Sequence, residues 1–137
     1  MKLQISTQLA IFAMLELVAH PDRQLTVAEI GAKYAVSNHH LAKVMHVLGR
    51  AALVRSIRGA GGGYRFSGNA RRTTLLDIIE LFETVGPAGR DPGAPGEGTS
   101  EGRALNVVLS EIDDTARATL GSITLATLRG LVDRHQP

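Results

Sequence analysis

Hydrophobic residues recur with helical spacing along most of the chain, and this spacing predicts six helices interrupted by a single hairpin. The first helix covers residues 6–19, which are strong helix formers with little polar surface. A helix that is apolar on most sides is buried on most sides, so it must pack on its own domain and on something more. Pro21 ends this helix, because proline disfavours helical backbone at the preceding residue.

The second and third helices are separated by a short turn. Thr26-Val-Ala-Glu29 matches a capping box, in which the Thr hydroxyl accepts from a free backbone amide and the Glu side chain reaches back. It opens a helix that runs to about Tyr34, with three apolar residues directed inward: Val27, Ile30 and Ala35. Ala35-Val36-Ser37 forms the turn, and Ser37 caps the helix that follows.

The third helix, from Asn38 to about Gly49, has two chemically distinct faces. Its apolar face follows the i, i+3, i+4, i+7 pattern and consists of Leu41, Val44, Met45 and Leu48. At 100° per residue, the opposite face is polar and cationic or potentially cationic, and it consists of His39, Lys43, His46 and Arg50. Such a helix suits the second helix of a helix-turn-helix, which lies in the DNA major groove. A solvated helix face is the alternative.

Two short alternating segments, Leu53–Arg58 and Tyr64–Ser67, flank a run of glycines and predict a β-hairpin with a flexible, basic tip. Three helices followed by such a hairpin is the plan of a winged helix-turn-helix. A nucleotide-binding phosphate loop is disfavoured, because Gly63 is followed by the strand pattern Tyr-Arg-Phe rather than by a helix.

The second half of the chain consists of three predicted helices and one loop. Thr74 caps a helix that runs to about Thr84, and Gly86–Gly102 then contains six Gly and three Pro, which predicts a mobile loop. A long amphipathic helix covers about Arg103–Gly121, and a short one covers Thr124–Val132. Long helices of this kind commonly serve dimerisation, and packing on the helix's own domain is the alternative.

These elements predict a mainly α fold with a small β-hairpin, divided into three parts. Residues 1–85 form a winged helix-turn-helix DNA-binding domain, residues 86–102 a flexible loop, and residues 103–137 the dimerisation helix and the C-terminal helix. Residues 1–74 carry ten Lys or Arg against three acidic residues, whereas residues 75–137 carry five against ten. A basic first half suggests binding to a polyanion, and chance clustering of solvated charge is the alternative.

Composition restricts the chemistry of the chain. Its 137 residues include no cysteine, which argues against disulfides, thiolate zinc sites and ordinary iron–sulfur ligation. His39 and His46 lie two helical turns apart, too far for one ion, and no nucleophile–base spacing occurs. We therefore expect neither an enzyme nor a metal or cofactor protein. No apolar run approaches about 18 residues, and no signal-peptide layout opens the chain, so we expect a cytoplasmic protein with no membrane partner.

Four sequence motifs occur in order along nearly the whole chain. They are Met1-Lys-Leu-Gln-Ile-Ser-Thr7, Leu25-Thr-Val-Ala-Glu-Ile30, Val36-Ser37 leading a helix that ends Leu48-Gly-Arg-Ala-Ala-Leu-Val54, and Ile57-Arg-Gly-Ala-Gly-Gly-Gly-Tyr64. The last motif, Arg-Gly-x-Gly-Gly-Gly-Tyr after a recognition helix, is highly specific. In these motifs the chain resembles the Rrf-two family of winged helix-turn-helix transcriptional regulators, which includes the iron–sulfur regulator IscR and the nitric-oxide sensor NsrR.

The resemblance implies a homodimer that binds a palindromic operator and is joined by the helix Arg103–Gly121. It also implies that the first helix packs against the partner's long helix. Cluster-binding members place three cysteines in the loop before the dimerisation helix, and the corresponding loop here has none. Where the nitric-oxide sensors use an Asp as a cluster ligand, this chain has Gln8, which is a poor ligand. The resemblance is therefore to a member without an iron–sulfur cluster. The alternatives for such a member are constitutive repression, response to a small molecule and response to a protein partner.

We predict a homodimeric repressor that binds double-stranded DNA in a sequence-specific manner. Phosphate contacts are predicted from the helix termini capped by Thr26 and Ser37. Further phosphate contacts are predicted from arginines, the candidates being Arg55, Arg65 and either Arg71 or Arg72. Base contacts are predicted from Asn38, His39, His40 and Lys43. Arg58 is predicted to read the minor groove, with Gly59 and Gly61 allowing close approach to the backbone. The alternative is a protein-interaction module, or a small-molecule or haem-sensing regulator in which DNA binding is secondary.

Overall fold

The computed structural model describes residues 1–86 and 93–137. In chain order its elements are α1 (Ile5–Ala19), α2 (Val27–Tyr34), α3 (Asn38–Arg50), β1 (Val54–Ile57), β2 (Gly63–Phe66), α4 (Leu75–Ile79), α5 (Ser100–Ser122) and α6 (Leu125–Arg134). The strands pair antiparallel, so the mainly α fold with a β-hairpin is confirmed. The predicted mobility of the Gly86–Gly102 loop concerns a segment whose residues 87–92 lie outside the described residues.

Helix α1 is the centre of the hydrophobic core. Eight of its fifteen residues are buried, and it packs against α3, α4, α6 and β2. Outside residues 1–85, α6 covers the apolar surface of α1 and contributes the fully buried Leu125. The resemblance attributes this apolar surface to a partner's long helix, but much of it is covered within one chain. Ile5 and Phe12 remain exposed, at 68% and 36%.

The N-terminus of α1 is held by a carboxylate from a distant part of the chain. The side chain of Gln4, which precedes the helix, makes no capping hydrogen bond. Instead, Oε2 of Glu83 accepts from the backbone amide of Gln4 at 2.9 Å and from the buried hydroxyl of Thr7 at 2.6 Å. A negative charge at the N-terminal end of a helix is favourable, so Glu83 stabilises α1 where the sequence supplies no local cap.

Helix α6 reaches α1 because the chain closes on itself between α4 and α6. The amide of Leu75 donates to the carbonyl of Ile123, and the amide of Leu125 donates to the carbonyl of Thr73, each at 2.9 Å. Thr74 and Thr124 face each other in this isolated antiparallel bridge. The start of α4 and the start of α6 are therefore joined to each other at this point.

Helix α5 lies on the surface of its own chain. None of residues 100–122 is buried. The guanidinium of Arg117 ties α5 to the α4 region by bonding Glu80 and the carbonyl of Val85. The helix begins three residues before its predicted start at Arg103. Thr99 caps it by accepting from the amide of Gly102 at 3.0 Å, which is how part of a glycine-rich stretch becomes helical.

Two other predicted details are wrong. Helix α4 ends at Ile79 rather than at about Thr84, because the amides of Leu81 and Phe82 bond to i−3 carbonyls and tighten the backbone there. Ala35 is exposed rather than directed inward. Its φ of 55° places it in the left-handed region that closes α2.

A polar cluster on α1 and α2 joins these two helices. Oε1 of Glu16 accepts hydrogen bonds from Lys33 and, at 2.6 Å, from the hydroxyl of Tyr34, while the ring of Phe12 stacks on Tyr34 at 5.0 Å. Burial opposes ionisation of Glu16, but the hydrogen bonds from Lys33 and Tyr34 outweigh it and lower the pKa of the carboxyl. Burial and the bond to Glu16 raise the pKa of Tyr34. The ionised carboxylate is therefore the form that links α1 to α2.

We expect Glu16→Gln to lower the Tm by about 4 °C at neutral pH, since a charge-assisted hydrogen bond contributes about 1.5 kcal/mol. A carboxyl whose pKa is lowered by folding stabilises the protein above its unfolded pKa of about 4.3 and loses that contribution as the pH falls through the folded pKa. The Tm difference should therefore shrink on acidification below about pH 4. Thermal unfolding of both proteins between pH 3 and 7 measures it, and a difference that is constant with pH would contradict the assignment.

Candidate nucleic-acid interface

Helices α2 and α3 and the turn between them have the predicted caps. Both halves of the capping box are present, with the amide of Glu29 donating to Oγ1 of Thr26 at 3.1 Å and the amide of Thr26 donating back at 3.3 Å. The hydroxyl of Ser37 accepts from the amide of His40 at 3.2 Å. The buried Gly31 was not singled out from the sequence, although a glycine within a helix was the available signal. A Cβ on Gly31 would lie 2.9 Å from the carbonyl oxygen of Val36, so glycine allows the turn to pack against α2.

Helix α3 presents the two predicted faces. Its apolar face is 2% exposed or less and joins the core through Leu41, Val44, Met45 and Leu48. Its opposite face is exposed along the whole helix and consists of His39, Lys43, His46 and Arg50. This face combines ammonium, guanidinium and imidazole groups, which donate hydrogen bonds to base edges and phosphates.

Two predicted base-contacting residues are placed differently from that face. His40 is half-buried, and its Nε2 lies 3.1 Å from the hydroxyl of Ser6 on α1. Asn38 is exposed, but its side-chain oxygen lies 3.2 Å from the position that a Cβ on Gly31 would take. Ser6 was missed because no local pattern pairs residues 34 positions apart. His40 fastens the start of α3 to α1 in this arrangement.

The N-termini of α2 and α3 differ in their electrostatics. The backbone amide of Thr26 and the guanidinium of Arg23 lower the pKa of Glu29, so the first turn of α2 carries a negative charge. The first turn of α3 has no acidic residue. Because exposed backbone amides and the helix dipole attract anions, the N-terminus of α3 is better suited to a phosphate than that of α2.

The hairpin places its basic residues in two environments. Arg55 and Arg65 face each other across the two strands, and a guanidinium nitrogen of Arg65 donates to the carbonyl of Asp22 at 3.1 Å. Arg55 and Arg58 are exposed. The wing therefore offers two exposed guanidiniums, while the third is turned towards the connector between α1 and α2. Arg71 and Arg72, in the connector after the hairpin, are also exposed.

The tip of the hairpin is an exposed turn built on glycine. Gly59 and Gly61 have φ values of 100° and 74°, which favour glycine because a side chain would be strained there. The amide of Gly62 donates to the carbonyl of Gly59 at 2.9 Å. The turn brings Arg58, Gly59 and Gly61 together at the exposed end of the wing, where the sequence predicted them.

The connector between α1 and α2 forms a third edge beside the wing. Leu25 pairs antiparallel with Tyr64, its amide donating at 3.0 Å and its carbonyl accepting at 2.8 Å. A Cβ on Gly63 would lie 2.6 Å from the carbonyl oxygen of Leu25, so this pairing requires glycine there. Sequence reasoning missed the pairing, because a single bridge has no alternating pattern to reveal it.

Comparison with known proteins agrees with this geometry. The family model Rrf2, described as iron-dependent transcriptional regulator, matches residues 3–130. The HTH-type transcriptional regulator BadM of Rhodopseudomonas palustris is 48% identical over 136 residues, which is 99% of this chain and 86% of that protein.

Solved structures of similar shape cover almost the whole chain. CymR, the global cysteine regulator of Bacillus subtilis, has a TM-score of 0.82 and 26% identity, with 96% of this chain and 98% of that one covered. IscR of T. potens has a TM-score of 0.79 and 24% identity, with 100% and 92% covered. At this identity, the similarity to IscR shows a shared fold and nothing further.

The family model is described as iron-dependent, but the residues of this chain do not fit thiolate ligation of iron. The sequence contains no cysteine. In the part of the chain that the structure describes, no three His, Asp or Glu side chains are grouped closely enough to hold one ion. This donor set therefore gives no basis for a role of an iron group.

No helix within residues 1–86 or 93–137 is long and apolar enough to cross a bilayer.

We expect Gly63→Ala to destabilise the protein by about 1–3 kcal/mol, because the new methyl group meets backbone atoms that cannot move aside cheaply. Gly130→Ala is the matched control. Its Cβ meets nothing within 4 Å in α6, and alanine favours helix over glycine by about 1 kcal/mol. Chemical denaturation of both variants measures the difference, and equal stability of the two would show that the wing tolerates a side chain beside Leu25.

Proposed function

The chain belongs to the Rrf2 family of transcriptional regulators, and from this membership we propose that it is a homodimeric repressor that binds a palindromic operator in double-stranded DNA. One observation carries the proposal. Helix α3 is buried along one face and exposes His39, Lys43, His46 and Arg50 along the other. A helix held by the core with a cationic outer face is the arrangement that enters a major groove.

Base recognition is assigned to the outer face of α3. His39 and Lys43 donate to base edges, lysine being suited to the O6 and N7 acceptors of guanine. Asn38, at the exposed start of the helix, reaches the same groove. His40 contributes mainly by fixing the start of α3 through its bond to Ser6, and a direct base contact would require it to leave that position.

Phosphate contacts are assigned to the N-terminus of α3 and to exposed arginines. The Ser37 cap leaves backbone amides of the first turn available for an anion, while Thr26 and Glu29 make the start of α2 a weaker site. Arg55, Arg71 or Arg72 add positive charge. Arg58 enters the minor groove from the wing tip, where the exposed Gly59 and Gly61 allow the backbone to approach DNA. Arg65 supports the wing through Asp22.

The dimer is assigned to α5. Its outward apolar stripe consists of Leu105, Val108, Leu109 and Ile112, each 47–58% exposed. A groove of about 460 Å³ runs along it beside Val108 and Ile112, and another of about 410 Å³ lies at the start of the chain beside Met1 and Phe12. Apolar surface of this extent on a helix without buried residues needs a cover. A second copy supplies it symmetrically and matches a palindromic operator.

The regulator operates without a thiolate-ligated iron–sulfur cluster in this proposal, because the sequence contains no cysteine. A small molecule or a protein partner serves as its effector, and the cytoplasm is its compartment. An absorption spectrum of freshly purified protein is the direct check, since haem and iron–sulfur clusters absorb visible light.

Gel shift against the upstream region of the gene and a scrambled duplex of the same length tests the proposed function. We expect tighter binding to the upstream region by at least about a thousandfold. The preference should be measured at fixed salt, because each half-site neutralises about three to five phosphates and affinity falls steeply with ionic strength. Equal binding to both duplexes would overturn sequence-specific regulation and favour a protein-interaction role.

We expect Arg58→Ala to weaken operator binding about tenfold and to reduce the salt dependence by about one counterion, because one groove-inserted charge is removed. Arg134→Ala is the matched control, since it removes the same charge from the exposed end of α6. Fluorescence anisotropy with labelled operator at several salt concentrations measures both quantities. Identical effects of the two substitutions would show that the wing tip does not contact DNA.

We expect Ile112→Glu to convert the dimer to monomer, because it places a charge in the centre of the apolar stripe of α5. Val107→Glu is the control, since Val107 is 61% exposed and projects about 140° away from Ile112 around the helix. Light scattering coupled to size-exclusion chromatography reports the mass. A dimer that survives Ile112→Glu would exclude this stripe as the interface.

A further inference from the structure

The tip of the wing is held by a side chain from outside the hairpin. The side-chain amide of Gln24 donates to the carbonyl of Gly61. The two residues lie 37 positions apart, and Gln24 belongs to the connector between α1 and α2. Among residues 1–86 and 93–137, this is the only hydrogen bond from a side chain to the tip segment 59–62.

Gln24 is itself held in place by its neighbours. Leu25 is 3% exposed and is paired to Tyr64 through two backbone hydrogen bonds. On the other side, the carbonyl of Asp22 accepts from Arg65 of β2. The connector is therefore fastened to the hairpin two residues before Gln24 and directly after it, which restrains the backbone of Gln24.

A glycine-rich tip needs such a restraint if it is to recognise DNA. Glycine loses more conformational entropy on ordering than any other residue, and four of the five residues from 59 to 63 are glycine. Any ordering that occurs on binding is subtracted from affinity. A hydrogen bond that orders the tip in the free protein removes part of that cost and limits the backbone positions open to Arg58, directly before the tip.

We propose that Gln24 is a positioning residue for DNA recognition, because its amide orders the wing tip before Arg58 enters the minor groove. The inference rests on the proposed function of the wing. It assigns the connector between α1 and α2 a part in recognition, although Gln24 carries no charge and contributes nothing to phosphate neutralisation.

The test compares Gln24→Ala with wild-type protein and with Gln136→Ala, a matched control in the exposed C-terminal tail. In the free protein, we expect ¹⁵N order parameters of Gly61 and Gly62 to fall from about 0.8 to below about 0.6. The order parameters of Leu25 and Tyr64, as well as the Tm, should remain unchanged. With DNA, we expect operator affinity to fall about three- to tenfold, the effect of one lost hydrogen bond.

A double-substitution cycle with Arg58→Ala separates positioning from direct contact. If Gln24 acts through Arg58, Gln24→Ala should have little further effect once Arg58 is alanine, and the salt dependence should not change with Gln24→Ala alone. Full additivity of the two substitutions would overturn the proposal, because it would mean that Gln24 acts independently of Arg58.

The relaxation measurement keeps this inference distinct from the proposed function. A tip that stays equally ordered in Gln24→Ala overturns the role of Gln24 whatever the DNA result. Wild-type protein that shows no operator preference overturns the proposed function, and with it the recognition role of Gln24, even if the tip loosens as expected.

Discussion

The burial of α1 on nearly all sides is the constraint on which the rest of the structure depends. A fifteen-residue helix with eight buried positions cannot be covered by its immediate neighbours in sequence. It takes α3 and β2 from the first half of the chain and α4 and α6 from the second. The two halves differ in charge and in their proposed tasks, yet they share one core. Glu83 adds a polar tie between them at the N-terminus of the same helix.

The proposed recognition surface follows from this core. Because the apolar face of α3 is buried in the core, its basic face is exposed. The hydrogen bond between Ser6 and His40 holds the first turn of α3 against α1. The connector that leaves α1 then runs beside the wing and pairs with it. Helix α1 thus packs against α3 through side chains, and the connector that follows it pairs with the wing through backbone hydrogen bonds. Both parts of the proposed surface are attached to the same helix.

Local chemistry made much of this fold predictable. The caps at Thr26, Ser37 and Thr74 and the two faces of α3 are written in short spacings, and the structure has them where those spacings put them. Contacts between distant segments were not predictable. Gln24 with Gly61 and α6 with α1 depend on how elements meet in space, and no periodicity encodes that. The DNA-contacting roles of the exposed residues remain predictions, because exposure alone does not identify what a side chain binds.

The bridge between Thr74 and Thr124 has a consequence for how such chains can change. Backbone hydrogen bonds join the two ends of residues 76–122, so this segment is closed like a long loop. The entropy cost of closing such a loop grows only slowly with its length. Glu83 and Val85 belong to the core and its ties, so only the chain after Val85 and before α5 can gain, lose or exchange residues at little cost to the core. A chain built in this way can lose a sensing site in this segment and still keep its proposed DNA-contacting surface.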